Sequence, residues 1–212
     1  MARLLQRLFF ILLVRPLVYV VLGLNVRHGE RLPTTGPAVI VANHNSHLDT
    51  LVLMSLLPLR LLHRIRPAGA ADYFMRNRVL AWFSTRIMGI VPVMRAKAGG
   101  NPLAGCFEAL RAGNILILFP EGTRGEPERM EDTFKQGVRL IAQKFPDVPV
   151  YPVFLHGLGK ALPKGEGLLV PTFCDIAVGK PMTFADEHEV FLPRLREALG
   201  LLQAELGIRE WT

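Results

Sequence analysis

Residues 38–49 read AVIVANHNSHLD, and this stretch decides the fold. The first five residues are apolar and three of them are β-branched, which is typical of a buried strand. A polar turn follows, and residues 46–57 are predicted to form a helix. A strand that passes through a short polar turn into a helix is the repeating unit of an α/β domain.

The rest of the chain repeats this alternation of short apolar runs and longer helical stretches. The predicted strands cover residues 38–42, 61–67, 90–94, 115–119, 150–155 and 168–178. The predicted helices cover residues 46–57, 72–88, 134–145 and 187–206, and one more begins at an Asn101-Pro102 cap and ends at Gly113. The pattern predicts an α/β fold in which helices flank a mixed, largely parallel sheet.

Composition and charge restrict the function classes. The chain has 212 residues, of which 50% are hydrophobic and 20% charged, so disorder is excluded and one compact domain is expected. Residues 1–95 hold 12 basic and 3 acidic side chains, whereas residues 96–212 hold 13 and 15, so the net charge of +7 belongs to the first half. Nucleic acid is not an expected partner, because no aromatic-basic interleaving or helix-turn-helix pattern accompanies the arginines. Cys106 and Cys174 indicate neither a disulfide framework nor a zinc site, which fits a reducing compartment.

The first 25 residues are strongly apolar and are predicted to form a membrane-associated segment, with the main domain at residues 26–212. Arg15-Pro16 divides the segment into uncharged runs of seven and nine residues, each shorter than the roughly 20 that cross a bilayer. We therefore expect two short helices or one kinked helix lying in the interface. A signal peptide and an ordinary core helix are the alternatives.

The polar turn after the first strand carries the candidate chemistry. Asp49 lies five residues after His44 at a helix start, where its carboxylate can accept the Nδ1 proton of the imidazole. His44 would then present Nε2 as a general base. Ser46-x-x-Asp49 also matches a capping box, which is a purely structural interpretation. A metal site built from His44, His47 and Asp49 is disfavoured, because the spacing lacks the usual ligand pattern.

Two further polar motifs follow predicted strands, at residues 89–95 (GIVPVMR) and 119–125 (FPEGTRG). If the strands are parallel, Arg95, Glu121 and Arg124 converge with His44 beyond the carboxyl ends of the sheet, where α/β proteins bind ligands. Two arginines and a glycine-containing turn indicate an anionic ligand. The structural alternative is a surface charge at Arg95 and a local ion pair between Glu121 and Arg124.

Four motifs together resemble the blocks of the glycerolipid acyltransferases, and specifically the 1-acylglycerol-3-phosphate (lysophosphatidic acid) acyltransferase family. They are, in order, Asn43-His44-x4-Asp49, residues 89–95, residues 119–125 and residues 148–153 (VPVYPV). The resemblance implies that His44 and Asp49 are catalytic. It further implies that the acceptor headgroup is bound by Arg95, Glu121, Gly122, Thr123 and Arg124, and that the acyl-donor side is shaped by Val150, Pro152 and Val153. Met94 departs from the family pattern, in which a polar residue often precedes the arginine.

The resemblance also implies the reaction and its setting. An acyl group would pass from a thioester of coenzyme A or acyl carrier protein to the hydroxyl of a lysophospholipid, giving phosphatidic acid, with no metal and no resident cofactor. The protein would sit on membrane lipid at the inner (cytoplasmic) membrane, with the site facing the cytosol. Lyso-ornithine lipid and lysophosphatidylglycerol are alternative acceptors. A non-catalytic phospholipid-binding protein and a metal-dependent hydrolase are the alternatives of a different class.

Overall fold

The structure is a computed structural model that describes residues 2–94, 101–122, 134–161, 170 and 172–207. Seven strands form one sheet in the order β1-β7-β6-β2-β5-β3-β4. Their bounds are Leu24–Arg27 (β1), Ala38–Ala42 (β2), Ile65–Ala70 (β3), Val91–Val93 (β4), Ile115–Leu118 (β5), Val150–His156 (β6) and Cys174–Val178 (β7). The predicted fold class, a mixed and largely parallel sheet flanked by helices, is confirmed.

Strand β2 lies at the centre of the sheet and all five of its residues are buried. It pairs in parallel with β5 on one side and β6 on the other, and β3 and β4 continue the parallel arrangement beyond β5. Strand β7 runs antiparallel to β6, and β1 runs parallel to β7. The carboxyl ends of β2, β3, β4, β5 and β6 therefore share one edge of the sheet, which we call the carboxyl edge.

Helices cover both faces of the sheet. They are Ala2–Val21 (α1), Leu48–Leu56 (α2), Ala71–Phe74 (α3), Arg78–Arg86 (α4), Ala104–Arg111 (α5), Gly137–Lys144 (α6), Leu158–Ala161 (α7), Phe184–Glu187 (α8) and Phe191–Gly207 (α9). One hydrophobic cluster unites the inward faces of α1 and α2, with Phe74 and Phe83 packed against it. A second cluster on the other side unites α5, α6 and α9.

The structure corrects several predicted element bounds. Residues 59–64 form a 3-10 helix, so β3 begins at Ile65 and not at residue 61. The helix predicted over residues 72–88 is two helices, because the Asn77 carboxamide accepts a hydrogen bond from Leu80 N and starts α4 anew. Strand β1 was not predicted, since it is defined by pairing with β7, about 150 residues away. The strand predicted over residues 168–178 is described only in part and begins at Cys174.

The N-terminal segment forms one helix that continues through Pro16, so of the two expected forms a single helix is present and two separate helices are not. Arg15 and Pro16 both have right-handed helical dihedral angles. Residues 10–14 and 17–21 adopt π-type turns, and Arg15 N–H donates to the carbonyl oxygen of Phe10, five residues earlier. These wider turns accommodate a residue without an N–H group and do not end the helix.

Helix α1 has one face on the core and one in solvent. Phe10, Val14, Val18 and Leu22 follow at four-residue spacing and are fully buried. The opposite face is exposed and apolar; it comprises Leu4, Leu5, Leu8, Ile11, Leu12, Leu13, Tyr19, Val20 and Val21. By length and composition alone this helix is suited to cross a membrane, a test that core helices and signal sequences also pass. An exposed apolar face of this size suggests membrane association.

Arg15 points to the body of the protein and caps α2. Its Nη2 donates to the carbonyl oxygens of Ser55 (3.3 Å) and Leu57 (3.1 Å), and the Tyr19 hydroxyl donates to the Ser55 oxygen at 3.0 Å. A guanidinium at the carboxyl end of a helix satisfies carbonyls that lack a partner and interacts favourably with the helix dipole. The charge that interrupts the apolar sequence is therefore a link between α1 and α2.

Both cysteines are buried and free. Burial raises the pKa of the Cys106 thiol to about 11. Burial, followed by the negative charges of Asp175 and Asp49, raises the pKa of Cys174 to about 12. Both thiols are therefore neutral and unreactive at physiological pH.

Replacing Arg15 by alanine should destabilise the fold. The Arg15→Ala protein leaves two carbonyls at the end of α2 without their donor, and we expect the free energy of unfolding to fall by about 1–3 kcal/mol. Chemical denaturation in mild detergent measures the change. Arg7→Ala removes an exposed arginine of the same helix and should stay within about 0.5 kcal/mol of the parent. Equal stabilities for the two variants would show that the Arg15 contacts contribute nothing.

Candidate active site

The site lies at the carboxyl edge of the sheet, where β2 and β5 end side by side. His44 follows β2 and Phe119 follows β5, and their rings are stacked with centroids 4.1 Å apart and planes 20° apart. The His44 side chain is 20% exposed. The stack holds the imidazole plane on one side, so the ring has a defined orientation towards solvent.

One oxygen of the Asp49 carboxylate organises the turn before α2. Asp49 Oδ2 lies 2.8 Å from His44 Nδ1, 2.8 Å from Asn45 N and 2.9 Å from Ser46 N. The Asp49 side chain is fully buried. The hydrogen bond between His44 and Asp49 that the spacing predicts is present. One bond of the predicted capping box is present, since Ser46 N donates to the same oxygen, while Ser46 Oγ accepts from Leu48 N at 3.3 Å.

This arrangement determines which nitrogen of His44 carries the proton. A carboxylate only accepts hydrogen bonds, so the bond to Asp49 requires a proton on Nδ1. In the neutral ring, Nε2 then holds the lone pair. A buried carboxylate behind the ring also stabilises the positive imidazolium that forms when Nε2 takes a proton. The pair is therefore equipped for general-base chemistry at Nε2.

Asn43 anchors this turn to the sheet, a role that the sequence analysis did not identify. Its Oδ1 accepts from Leu155 N at 2.8 Å, and its Nδ2 donates to Leu155 O at 2.9 Å and to Asn45 Oδ1 at 2.7 Å. Both asparagines are buried. The Asn43 side chain thus extends the pairing of β2 with β6 by one more step, just before His44. An amide directly after a buried strand was the signal available in the sequence.

The turn after β5 brings a carboxylate and an ammonium group to the same edge. Gly122 N–H donates to Phe119 O at 3.1 Å, and Gly122 has φ = +70°, which favours glycine. Glu121 is 5% exposed. Lys135 N donates to Pro120 O at 2.9 Å, and the Lys135 side chain lies against Gly122 so closely that a Cβ there would come within 2.6 Å of its Cδ and Cε. Lys135 was missed because it follows the third motif by ten residues or more.

The other predicted site residues are placed as follows. Arg95, Thr123 and Arg124 lie outside the described residues, so their convergence with His44 stays a prediction. Val150, Pro152 and Val153 are buried in β6 beside β2. Val150 belongs to the second hydrophobic cluster and Val153 to the first, so the two side chains lie on opposite faces of the sheet. Their role on the acyl-donor side stays a prediction.

The predicted structural context of the second motif is present up to Met94. Gly89 has φ = +68°, and a Cβ there would lie 2.9 Å from Ile65 O, so this position requires glycine. The strand β4 follows at the end of the sheet, and Met94 is exposed. Among the described residues, no group of three or more potential metal ligands is present.

Comparisons with known proteins give a consistent family. A model of the acyltransferase family matches residues 23–156. A chloroplastic 1-acyl-sn-glycerol-3-phosphate acyltransferase of Arabidopsis thaliana is 32% identical over 78% of this chain and 45% of its own length. A protein of the same name from Bacillus subtilis is 28% identical over 77% and 76%. This chain thus spans less than half of the plant relatives that it matches.

A solved structure has the same fold. The crystal structure of the 1-acyl-sn-glycerophosphate (LPA) acyltransferase PlsC from Thermotoga maritima superposes with a TM-score of 0.78 at 23% sequence identity. The match covers 99% of this chain and 81% of that one.

The tautomer of His44 is a direct test of the site geometry. In protein with nitrogen-labelled histidine, the neutral His44 ring should carry its proton on Nδ1, because Asp49 Oδ2 accepts it. Asp49→Ala removes the oxygen that accepts from Nδ1, so the fixed tautomer should be lost. Nitrogen chemical shifts report the proton position, and His44→Gln assigns the resonance. A parent ring protonated on Nε2 would contradict the geometry.

Proposed function

The chain belongs to the acyltransferase family, and from this premise we propose that it is an O-acyltransferase for lysophospholipids. The acyl group comes from a thioester, the acceptor is 1-acylglycerol-3-phosphate and the product is phosphatidic acid. The hydrogen bond between His44 Nδ1 and Asp49 Oδ2 at the carboxyl edge is the observation that carries this proposal. The activities named for the plant and bacterial relatives support the choice of acceptor.

The reaction needs one base and no covalent enzyme intermediate. His44 Nε2 takes the proton of the acceptor hydroxyl while the hydroxyl oxygen attacks the thioester carbonyl carbon. The tetrahedral intermediate collapses as the C–S bond breaks, and the imidazolium returns its proton to the leaving thiolate. Asp49 holds the ring and stabilises its positive form. General-base assistance of this kind contributes about 10²–10⁴-fold to the rate.

The acceptor phosphate is assigned to the loops after β4 and β5. Arg95 and Arg124 supply guanidinium groups, and Glu121, Gly122 and Thr123 complete the headgroup-binding set, as the family resemblance implies. The position of Lys135 against Gly122 supports an anionic ligand there, because it places another cation at the turn whose Phe119 stacks on His44. Lyso-ornithine lipid and lysophosphatidylglycerol are the alternative acceptors, since the apolar Met94 precedes Arg95.

The membrane is the source of the acceptor. Helix α1 exposes an apolar face over most of its length, which suits a helix that lies in one leaflet. The lysolipid and its product both partition into the bilayer, whereas coenzyme A or acyl carrier protein brings the acyl group through the cytosol. We assign the protein to the cytosolic side of the inner membrane on these grounds.

His44→Ala should abolish acyl transfer. We expect kcat/KM to fall by about 10²–10⁴-fold or more, because the only base in the proposed mechanism is gone. A radiolabelled acyl thioester with 1-acylglycerol-3-phosphate in mixed micelles measures the rate. His28→Ala is the matched control: His28 lies beyond β1 at the far end of the sheet and pairs with Glu205, and its loss should leave the rate unchanged. A parent protein without turnover would favour the non-catalytic lipid-binding alternative.

Arg95→Ala should weaken acceptor binding. The KM for 1-acylglycerol-3-phosphate is expected to rise about tenfold or more with little change in kcat, since a charge-assisted hydrogen bond to phosphate is lost. Arg111→Ala is the control, because Arg111 ends α5 just before β5 and so lies at the opposite edge of the sheet. An unchanged KM would remove Arg95 from the headgroup site. A panel of lysolipids, each with acyl-coenzyme A and acyl carrier protein as donor, then identifies the preferred substrates.

A further inference from the structure

We propose that the exposed face of α3 and α4 is a second bilayer-binding surface, placed directly beside the active-site turn. We call residues 73–86 the interfacial segment. The functional significance of this surface rests on the proposed function, because a lipid acceptor has to enter the site from a membrane. The lipid contact itself is measured without substrate.

The interfacial segment exposes large apolar side chains that the fold does not need. Val79 is 78% exposed, Met75 51%, Trp82 51% and Tyr73 46%. In contrast, Phe74 and Phe83 of the same segment pack against the first hydrophobic cluster. The segment is therefore apolar on both sides. Its inward residues pack against the core, and its outward residues are exposed to solvent. Such a surface indicates a binding partner.

The segment contacts α1. The ring of Phe83 packs edge-on against the ring of Phe9, with centroids 5.4 Å apart and planes 86° apart. Both α1 and α4 cover the same face of the sheet, through the first hydrophobic cluster. The exposed apolar side chains of α1 and α4 therefore belong to helices in contact with each other, and we infer that one bilayer surface covers both.

The segment also borders the site. The Tyr73 ring is stacked with the His47 ring, with centroids 6.1 Å apart and planes 24° apart, and His47 is three residues after His44. Helix α3 begins where β3 ends, at the same carboxyl edge as His44 and Phe119. A bilayer that contacts Tyr73 and Trp82 therefore also lies at the entrance of the site.

The chemistry of the segment fits an anionic lipid surface. It contains Arg76, Arg78 and Arg86, all exposed, and the acidic residue of α3 and α4 is Asp72, just before the segment. Tryptophan and tyrosine favour the boundary between headgroups and acyl chains, and each arginine near an anionic surface contributes about fivefold to binding. An acidic carrier protein would match the arginines, but it would leave unexplained the apolar side chains exposed on both α1 and α4.

The position of Trp82 in the bilayer is the decisive measurement. The chain has two tryptophans, so Trp211→Phe leaves Trp82 as the single fluorophore. The protein is bound to vesicles of phosphatidylcholine with about one third phosphatidylglycerol. We expect the emission of Trp82 to shift to the blue and to be quenched by lipids brominated near the headgroup.

A matched control uses the other side of the molecule. In a protein with Trp82→Phe and Trp211→Phe, Leu201→Trp places a tryptophan on α9, at a position that is 67% exposed and on the opposite face of the sheet. This tryptophan should stay unquenched while the protein sediments with the vesicles. If Trp82 behaves in the same way, α1 alone holds the protein and the proposal is overturned.

A second pair of variants tests the energetic contribution. Val79→Glu should lower the vesicle partition coefficient about tenfold, whereas Val190→Glu, at another exposed valine, should not change it. Because Val79 is so exposed, its replacement leaves the core intact. Equal partition coefficients for the two variants would argue against a bilayer contact by the interfacial segment. If Trp82 is quenched by the brominated lipids but the parent protein shows no acyl transfer, the proposed function is contradicted and the lipid contact of the interfacial segment is still supported.

Discussion

One carboxylate oxygen connects the start of a helix to the candidate chemistry. Asp49 Oδ2 receives the N–H groups of Asn45 and Ser46 and the Nδ1 of His44. The backbone bonds fix the path of the turn, and the ring bond fixes the tautomer. Burial keeps competing water away from the oxygen. The position of the imidazole therefore depends on the same interaction that begins α2, and that helix in turn depends on how β2 is held in the sheet.

The sequence was informative wherever the relevant contacts are local. The bond between His44 and Asp49 spans five residues, so it was visible as spacing. The central strands β2 and β5 were visible as apolar runs that end in polar turns. Parallel pairing then followed from the alternation of strands and helices, and it is this pairing that puts Phe119 on His44.

The sequence was uninformative or misleading where partners are distant. Strand β1 exists through its pairing with β7, and Asn43 is explained by Leu155, 112 residues later. Arg15 and Pro16 looked like a helix break because the carbonyls that receive Arg15 lie 40 residues away or more. Local pattern cannot predict such contacts, since apolar periodicity indicates that a face is buried but not what covers it.

The contacts of Arg15 and Tyr19 fix the position of α2 relative to α1. They grip the carboxyl end of α2, while the amino end of the same nine-residue helix holds Asp49. At 1.5 Å per residue the two ends are about 13 Å apart. Helix α2 thus keeps a fixed distance between the residues that contact α1 and the turn that holds His44. In a protein whose α1 lies in one leaflet, the depth of α1 then determines the position of the imidazole relative to the acyl chains. The distance between α1 and the base that we propose is then fixed by the length of α2.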